Sequence, residues 1–109
     1  MSAIAETPEP PYYVVIFTAL LTDDTEGYAE RAEALYELAA KMPGFIGMEA
    51  ADIGSEGEIS VIYWKDEASI LEWKNNTEHL AAQNLGKERF YQQYAIRVAK
   101  VERAYDFAK

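Results

Sequence analysis

The single histidine, His79, is the residue whose type most directly suggests chemistry, because imidazole is the side chain that ordinarily titrates near neutral pH. It can act as a general base, donate a hydrogen bond to a substrate or bind a haem iron. A surface or helix-capping histidine would explain it equally well. One histidine cannot complete a tetrahedral zinc site, and no other group of His, Asp and Glu has ligand spacing, so no metal site is predicted.

Two tryptophans, Trp64 and Trp73, lie at a predicted strand end and on a predicted helix. Large aromatic side chains on such elements more often pack in a core than bind a ligand. Arg89 also has two explanations, since it can bind a substrate or pair with a carboxylate of this acidic chain. What these residues do therefore depends on the elements that position them.

Composition limits the classes of partner. The 109 residues suffice for one domain, and half of them are hydrophobic. The net charge of −9, without a basic stripe, argues against nucleic acid and an anionic membrane surface as partners. The absence of cysteine excludes disulfides and a thiol nucleophile. No apolar run approaches the ~20 residues that span a bilayer, and the first residues do not form a signal peptide, so a cytoplasmic location is expected.

The strands are predicted from β-branched and aromatic runs bounded by turn residues. Residues 1–11 contain three of the four prolines and are predicted to be a flexible lead-in. Residues 12–109 are predicted to form the folded domain. Its four strands are expected at 12–21, 45–53, 58–64 and 95–105.

The helices are predicted from apolar residues at three- and four-residue spacing. The first begins at a Thr25 cap and ends near Met42, before a Pro-Gly pair that stops it. The second begins at an Asp66 cap and is interrupted at 75–77. A further short helical stretch is expected at 87–93.

The resulting order, β-α-β-β-α-β, is that of a ferredoxin-like α+β subunit, whose helices cover one face of a four-stranded antiparallel sheet. The first strand is nevertheless apolar on both faces, with Val14 and Ile16 on one and Val15 and Phe17 on the other. A sheet with one solvated face should alternate apolar and polar residues. We therefore expect a second copy of the chain to cover the free face in a homodimer. The alternative is that residues 75–94 fold over it.

Four stretches of sequence carry a resemblance to a known family. They are YYVVIF in the first strand, MPGFIGME at the turn into the second, ISVIYWKDEASILEWK across the third strand and second helix, and the tail EHLAAQNLGKERFYQQYAIRVAKVERAY. Together they resemble the antibiotic biosynthesis monooxygenase family over residues 12–109, and the tail is similar to that of a bacterial subgroup. The resemblance implies ferredoxin-like subunits that form a dimeric α+β barrel.

The resemblance also implies a cofactor-independent monooxygenase acting on a small aromatic, phenolic molecule, with no metal or flavin. Such a site binds the phenol, helps to deprotonate it and excludes water while dioxygen reacts. The implied catalytic residues are His79, Trp73 and Asn76. The implied substrate-binding residues are Tyr63, Trp64, Arg89, Phe90 and Tyr91. We expect an apolar cavity between the sheet and the second helical region, with Trp73 and His79 at its wall.

Two other functions stay open. A non-catalytic dimer could bind a small hydrophobic or aromatic ligand with the same residues. Haem binding or degradation is the third reading, because haem-degrading relatives place a tryptophan at the position of Trp73. Those relatives also use a histidine where this chain has Gln83, and a first-strand asparagine that it lacks. Their haem site is therefore not reproduced, and tight haem binding is not expected.

Overall fold

The elements follow one another in the predicted order along the chain, of which this computed structural model describes residues 3–109. The second helical region is divided in two and is followed by one turn of π-helix. The elements are β1 (Tyr12–Leu21), α1 (Tyr28–Ala40), β2 (Phe45–Ile53), β3 (Gly57–Trp64), α2 (Glu67–Lys74), α3 (Thr77–Leu85), the π-turn (Gly86–Phe90) and β4 (Tyr91–Val101).

The four strands form one antiparallel sheet in the order β2-β3-β1-β4. This is the predicted ferredoxin-like α+β fold. In the register, Val15 on β1 lies opposite Ile62 on β3 and Val98 on β4. Paired residues project to the same face of a sheet, and neighbours along a strand project to opposite faces. The side chain of Val15 therefore marks one face of the sheet and that of Val14 the other.

The core lies between the Val15 face and the helices. Trp64 at the end of β3 is fully buried and packs with Ala39 of α1 and Trp73 of α2. Partly buried residues complete this cluster, among them Val15, Leu35, Leu38, Met42, Phe45, Ile62 and Ile70. The apolar spacing predicted for the first helix is explained by this packing. No helix within residues 3–109 has the length and apolar character needed to cross a membrane.

The opposite face of the sheet is covered only at one end. There the lead-in crosses the sheet without regular secondary structure, and the Ala5 N–H donates to Glu49 Oε2 at 3.0 Å. Tyr12 Oη donates to Thr7 Oγ1 at 3.2 Å. At the other end, Leu20 and Ile53 are exposed. The helical region after residue 75 lies on the Val15 side, so it does not cover this face. That the lead-in is flexible stays a prediction.

Four predicted boundaries are wrong. The last strand ends at Val101, four residues before its predicted end at 105. The first helix begins at Tyr28 after Gly27, whose φ of +81° suits glycine, so Thr25 does not cap it. The helical stretch expected at 87–93 is limited to the π-turn, which ends at Phe90. Tyr91 already pairs with Leu21 in the sheet, and β4 therefore begins four residues before the predicted strand. The Asp66 cap is confirmed, with Oδ1 accepting from the Ser69 N–H at 2.8 Å.

Candidate functional site

A cavity of about 720 Å³ lies between the Val15 face of the sheet and the helices. Its wall is mainly apolar and includes Val15, Phe17, Leu35, Met48, Ile62 and Ile96. Known small-molecule sites have volumes of roughly 300–1,000 Å³ and add a few polar groups to such a wall. The cavity has two polar regions. One lies beside Trp73 and the other includes Glu58.

The first polar group is the imidazole of His79, which stacks on Trp73 with ring centroids 4.1 Å apart and an interplanar angle of 13°. Both side chains line the cavity. The ring of Trp73 is in turn 6.1 Å from that of Trp64 in the core. The indole of Trp73 therefore fixes one face of the imidazole on a rigid base.

The proton of this imidazole can be placed from its neighbour. His79 Nδ1 lies 2.9 Å from the carbonyl oxygen of Trp73, which only accepts, so Nδ1 carries the hydrogen. Burial lowers the pKa of His79, and the hydrogen bond to Trp73 opposes this only in part. The ring is therefore neutral at neutral pH, and its Nε2 has a free lone pair. A neutral imidazole of this tautomer is a competent general base.

The break between α2 and α3 brings His79 over Trp73. The side-chain oxygen of Asn76 accepts from the backbone N–H groups of Glu78 at 3.0 Å and His79 at 3.1 Å, and thereby starts α3. The Asn76 amide also lies 3.9 Å from the sulfur of Met42. The predicted interruption at 75–77 is confirmed. In the structure Asn76 contacts the backbone of His79 and does not line the cavity.

The second polar group is the Tyr28–Glu58–Tyr91 cluster, near the opposite end of β3. Glu58 and Trp64 are separated by six residues, or about 20 Å at ~3.3 Å per strand residue. Tyr28 Oη donates to Glu58 Oε1, and the hydroxyls of Tyr28 and Tyr91 are 3.4 Å apart. All three side chains line the cavity.

Both phenols of the Tyr28–Glu58–Tyr91 cluster stay protonated. Burial raises the pKa of Tyr28 well above its usual range, and the hydrogen bond to Glu58 adds to the increase. Burial also raises the pKa of Tyr91. Each hydroxyl therefore has one hydrogen to donate at neutral pH.

The structure gathers three of the eight sequence-predicted site residues at the cavity, namely Trp73, His79 and Tyr91. Trp64 lies behind Trp73, and its buried Nε1 has no hydrogen-bond partner among the described residues. Phe90 is buried beside the cluster, with its ring 5.2 Å from that of Tyr28 in an edge-to-face contact. It supports the cavity wall from outside.

Tyr63 and Arg89 are placed away from the cavity, which corrects the predicted site. Tyr63 projects from the other face of the sheet, where its hydroxyl donates to Glu49 at 2.6 Å, because its neighbour Trp64 occupies the helix side. Arg89 binds both carboxylate oxygens of Asp24, at 3.1 and 3.0 Å. The alternative explanation for Arg89, pairing within the acidic chain, is thus confirmed.

Two polar residues of the cavity, Tyr28 and Glu58, were not among the predicted site residues. They are 30 residues apart in sequence and meet only through the fold. The one available signal was strand alternation, since Glu58, Ser60 and Ile62 must share a face. Within residues 3–109, no three His, Asp or Glu side chains are close enough together to hold a metal ion.

Fold and cavity together define a class of protein, the ferredoxin-like α+β subunits with an aromatic-walled pocket between sheet and helices. The family model described as antibiotic biosynthesis monooxygenase matches residues 11–85, which is more than half of the chain. The chain belongs to the antibiotic biosynthesis monooxygenase family.

Relatives and solved structures agree with this assignment. The chain is 44% identical over 103 residues to YqjZ of Bacillus subtilis, an uncharacterized protein, covering 94% of this chain and 90% of YqjZ. It is 29% identical over 92 residues to jasmonate monooxygenase ABM of Pyricularia oryzae, covering 82% of this chain but only 43% of that protein. SnoaB of Streptomyces nogalater, a cofactor-independent oxygenase, superposes with a TM-score of 0.75 at 7% identity, covering 87% and 97% of the two chains. That last likeness shows the fold alone.

Proposed function

We propose that this protein is a cofactor-independent monooxygenase that binds a small phenolic molecule in the cavity beside Trp73 and His79. The observation that carries the proposal is the neutral imidazole of His79, stacked on Trp73 at an apolar wall with Nε2 unprotonated. One of the similar proteins is described as a jasmonate monooxygenase, which supports an oxygenation reaction.

In the proposed reaction His79 Nε2 removes the phenolic proton, and the electron-rich anion then reacts with dioxygen. For a phenol that is the tautomer of a ketone with an activated methylene, one methylene and one dioxygen molecule give one carbonyl and one water. Four electrons and two hydrogens leave the carbon, one oxygen atom becomes the carbonyl oxygen and the other leaves as water. No external reductant is needed. The apolar wall keeps bulk water from the anion, which strengthens its electrostatic interactions with the protein.

Within this proposal Trp73 holds the His79 imidazole by stacking and offers the substrate the edge that lines the cavity, and Asn76 is a positioning residue. Aromatic rings that stack or meet edge to face are stabilised by roughly 0.5–1.5 kcal/mol beyond their burial. Asn76 acts through the backbone of His79, to which it is hydrogen-bonded. Its expected effect is on the placement of the imidazole, with no contact to the substrate.

We further propose that two copies of the chain associate through the free face of the sheet. Leu20 and Ile53 on that face are 43% and 47% exposed. In the segment after β4, Tyr105 and Phe107 are 86% and 87% exposed. Contiguous exposed apolar surface often marks an interaction site, and a homodimer would bury these side chains. The family resemblance favours the same arrangement.

The test of the enzymatic proposal is oxygen uptake with anthrone, a ketone with an activated methylene whose enol tautomer is a phenol. Uptake and formation of anthraquinone are followed above a protein-free blank. We expect His79→Gln to lower the turnover rate by about 10²–10⁴-fold, the usual contribution of a general base. Glu78→Gln, in the same helical turn, is the matched control and should keep the wild-type rate.

Three outcomes separate the candidate functions. An unchanged rate in His79→Gln would remove the assigned base. Binding of anthrone to the wild-type protein without any protein-dependent oxygen uptake would favour the non-catalytic ligand-binding dimer. Turnover lost in His79→Gln and kept in Glu78→Gln supports the monooxygenase.

A further inference from the structure

The hydrogens of the Tyr28–Glu58–Tyr91 cluster can be assigned in sequence. The Tyr28 hydroxyl donates its hydrogen to Glu58 Oε1. It therefore accepts in its contact with Tyr91, whose hydroxyl lies 3.4 Å away and donates to it. The direction of the chain is Tyr91 to Tyr28 to Glu58. The hydrogen of Tyr28 is used inside it, whereas the contact made by Tyr91 is long.

The groups left over in this cluster are acceptors. The hydrogen bonds described for residues 3–109 leave Glu58 Oε2 without a donor, although a carboxylate can accept several. The oxygen of Tyr91 also keeps a lone pair. Partly buried acceptors of this kind are normally paired in folded proteins. A ligand group that reaches Glu58 Oε2 is therefore paired best when it donates a hydrogen bond.

No cation of the protein fills that role in the described part of the chain. Arg89 is held by Asp24, outside the cavity. Lys74 lines the cavity from the end of α2, next to Trp73 and so near the opposite end of β3. Asp52 faces Glu58 across the β2–β3 pair and adds negative charge to the same end.

The aromatic rings around the Tyr28–Glu58–Tyr91 cluster pack against one another along the cavity wall. They do not form an aromatic cage of the kind that binds a methylated ammonium ion. Tyr91 packs edge to face against Phe17 at 5.3 Å, Tyr28 at 5.9 Å and Tyr94 at 5.6 Å. Rings at these separations touch one another, so a methylated ammonium cannot enter between them. A flat ligand can lie along the wall with its edge directed at Glu58.

We propose that the Tyr28–Glu58–Tyr91 cluster is a second polar subsite that binds a hydroxyl or amino group at the far end of an elongated aromatic ligand and rejects a carboxylate there. This rests on the proposal that the cavity is the ligand site. The cavity has one acceptor at His79 and a second acceptor subsite near the other end of β3. It therefore selects molecules with a donor group at both ends and an apolar ring system between them.

The test is calorimetric titration at neutral pH with four matched probes. They are 4-hydroxy-p-terphenyl, 4,4″-dihydroxy-p-terphenyl, 4″-amino-4-hydroxy-p-terphenyl and 4″-hydroxy-p-terphenyl-4-carboxylate. We expect the wild-type protein to bind the diol and the aminophenol about tenfold more tightly than the monophenol, in line with a hydrogen bond to a charged group. The carboxylate should bind at least tenfold more weakly than the diol. The diol and aminophenol distinguish a hydroxyl from an amine as the preferred donor.

Glu58→Gln is the decisive variant, because glutamine keeps an acceptor for Tyr28 and turns a donor toward the cavity. We expect the diol advantage to fall to about twofold and the carboxylate to gain affinity. Glu56→Gln removes the same charge from the exposed hairpin loop and should bind all probes as the wild type does. Tyr91→Phe, which keeps the ring and loses the hydroxyl acceptor, gives a second reading, with a smaller loss of the diol advantage.

The outcomes distinguish this inference from the function on which it rests. Equal affinities of the wild type and both cavity variants for all four probes would overturn the second subsite and leave the oxygenase proposal standing. Binding of no probe at all by the wild type would overturn both. A shift in preference in Glu58→Gln without any oxygen uptake would support the subsite and count against the enzyme.

Discussion

His79 takes its tautomer and its protonation state from the carbonyl and the ring of one neighbour, Trp73. The sequence around His79 does not predict this tautomer or protonation state, because Trp73 and His79 come into contact only through the break between α2 and α3. The sequence supplied the residue types and the break. The stacking at 4.1 Å needed the fold.

The lowered pKa of His79 predicts a pH dependence of stability. In the unfolded chain His79 titrates near ~6.5, whereas burial holds its pKa lower in the folded protein. Between these two values the unfolded chain binds more protons, so the free energy of unfolding falls as the pH falls. Urea denaturation between about pH 7.5 and 5.5 should show this slope in the wild type and a smaller one in His79→Gln. Identical slopes would contradict the buried, neutral imidazole, and Glu78→Gln should keep the wild-type slope.

The residue at position 83 predicts how the protein responds to haem. Gln83 lines the cavity on α3, where a haem-degrading relative would present a histidine. We expect a haem titration to give no sharp Soret band at sub-micromolar concentration. Gln83→His should bind haem more tightly than the wild type does. A sharp band in the wild type that is lost in His79→Ala would show that His79 itself is an axial ligand.

Strand parity explains one error in the predicted site. Tyr63 and Trp64 were both expected at the ligand, yet consecutive strand residues project to opposite faces. The two could never line the same side of the sheet. Because Trp64 fills the core, Tyr63 must lie on the free face, where burial and then the hydrogen bond to Glu49 raise its pKa to about 12.

Among the elements, α3 depends on a single side chain for its start. Replacing Asn76 by Ala removes the acceptor for two backbone N–H groups and should cost about 1 kcal/mol of stability. Asn76→Asp keeps an N-cap acceptor and should retain most of that stability, as measured by urea denaturation. If Asn76 only positions His79, Asn76→Asp should also keep most of the wild-type turnover of anthrone. A large loss of turnover in a stable Asn76→Asp variant would assign Asn76 to the chemistry instead.

The start of β4 could not be predicted from the local sequence. The residues from Lys87 to Gln93 are predicted to be helical. In the structure Phe90 is buried against Tyr28, and Tyr91 joins the sheet opposite Leu21. Pairing with β1 decides the end of the helix, and no signal of that pairing lies within the segment. β1 and β3 carry their own β-branched runs, and β2 lies between a Pro-Gly turn and a hairpin loop, so these three strands were predicted closely.

For the molecule as a whole, the free face of the sheet predicts self-association. Analytical ultracentrifugation at micromolar concentration should give twice the 12.3 kDa mass of the chain. Leu20→Glu places a charge on the free face and should yield the monomer, since an unpaired buried carboxylate costs several kcal/mol. Leu80→Glu is a matched control, because Leu80 on α3 is also 43% exposed and lies away from that face. A wild-type monomer, or equal effects of both substitutions, would contradict the dimer.

For the whole molecule, the sequence predicted the fold and the polar region at Trp73 and His79, but it did not predict the Tyr28–Glu58–Tyr91 cluster. The fold follows from patterns within single elements, each of which is legible by itself. The Tyr28–Glu58–Tyr91 cluster joins α1, β3 and β4 across 30 and 63 residues, and each member looks like an ordinary amphipathic or hairpin residue where it stands. Contacts between residues so far apart in the sequence cannot be predicted from the local pattern around each of them.

The close approach of Gly86 to Tyr91 has a consequence for the evolutionary history of this cavity. A Cβ at position 86 would stand 2.4 Å from the ring of Tyr91, which no real pair of atoms tolerates. A side chain at 86 therefore requires the ring of Tyr91 to shift or a smaller residue to stand at 91, so we expect the two positions to vary together. Homologues should fall into two groups, glycine with a large aromatic or a bulkier residue with a small partner. The second group would have a wider cavity that lacks the Tyr91 acceptor, so this pair of alignment columns should sort the relatives by the ligands they take.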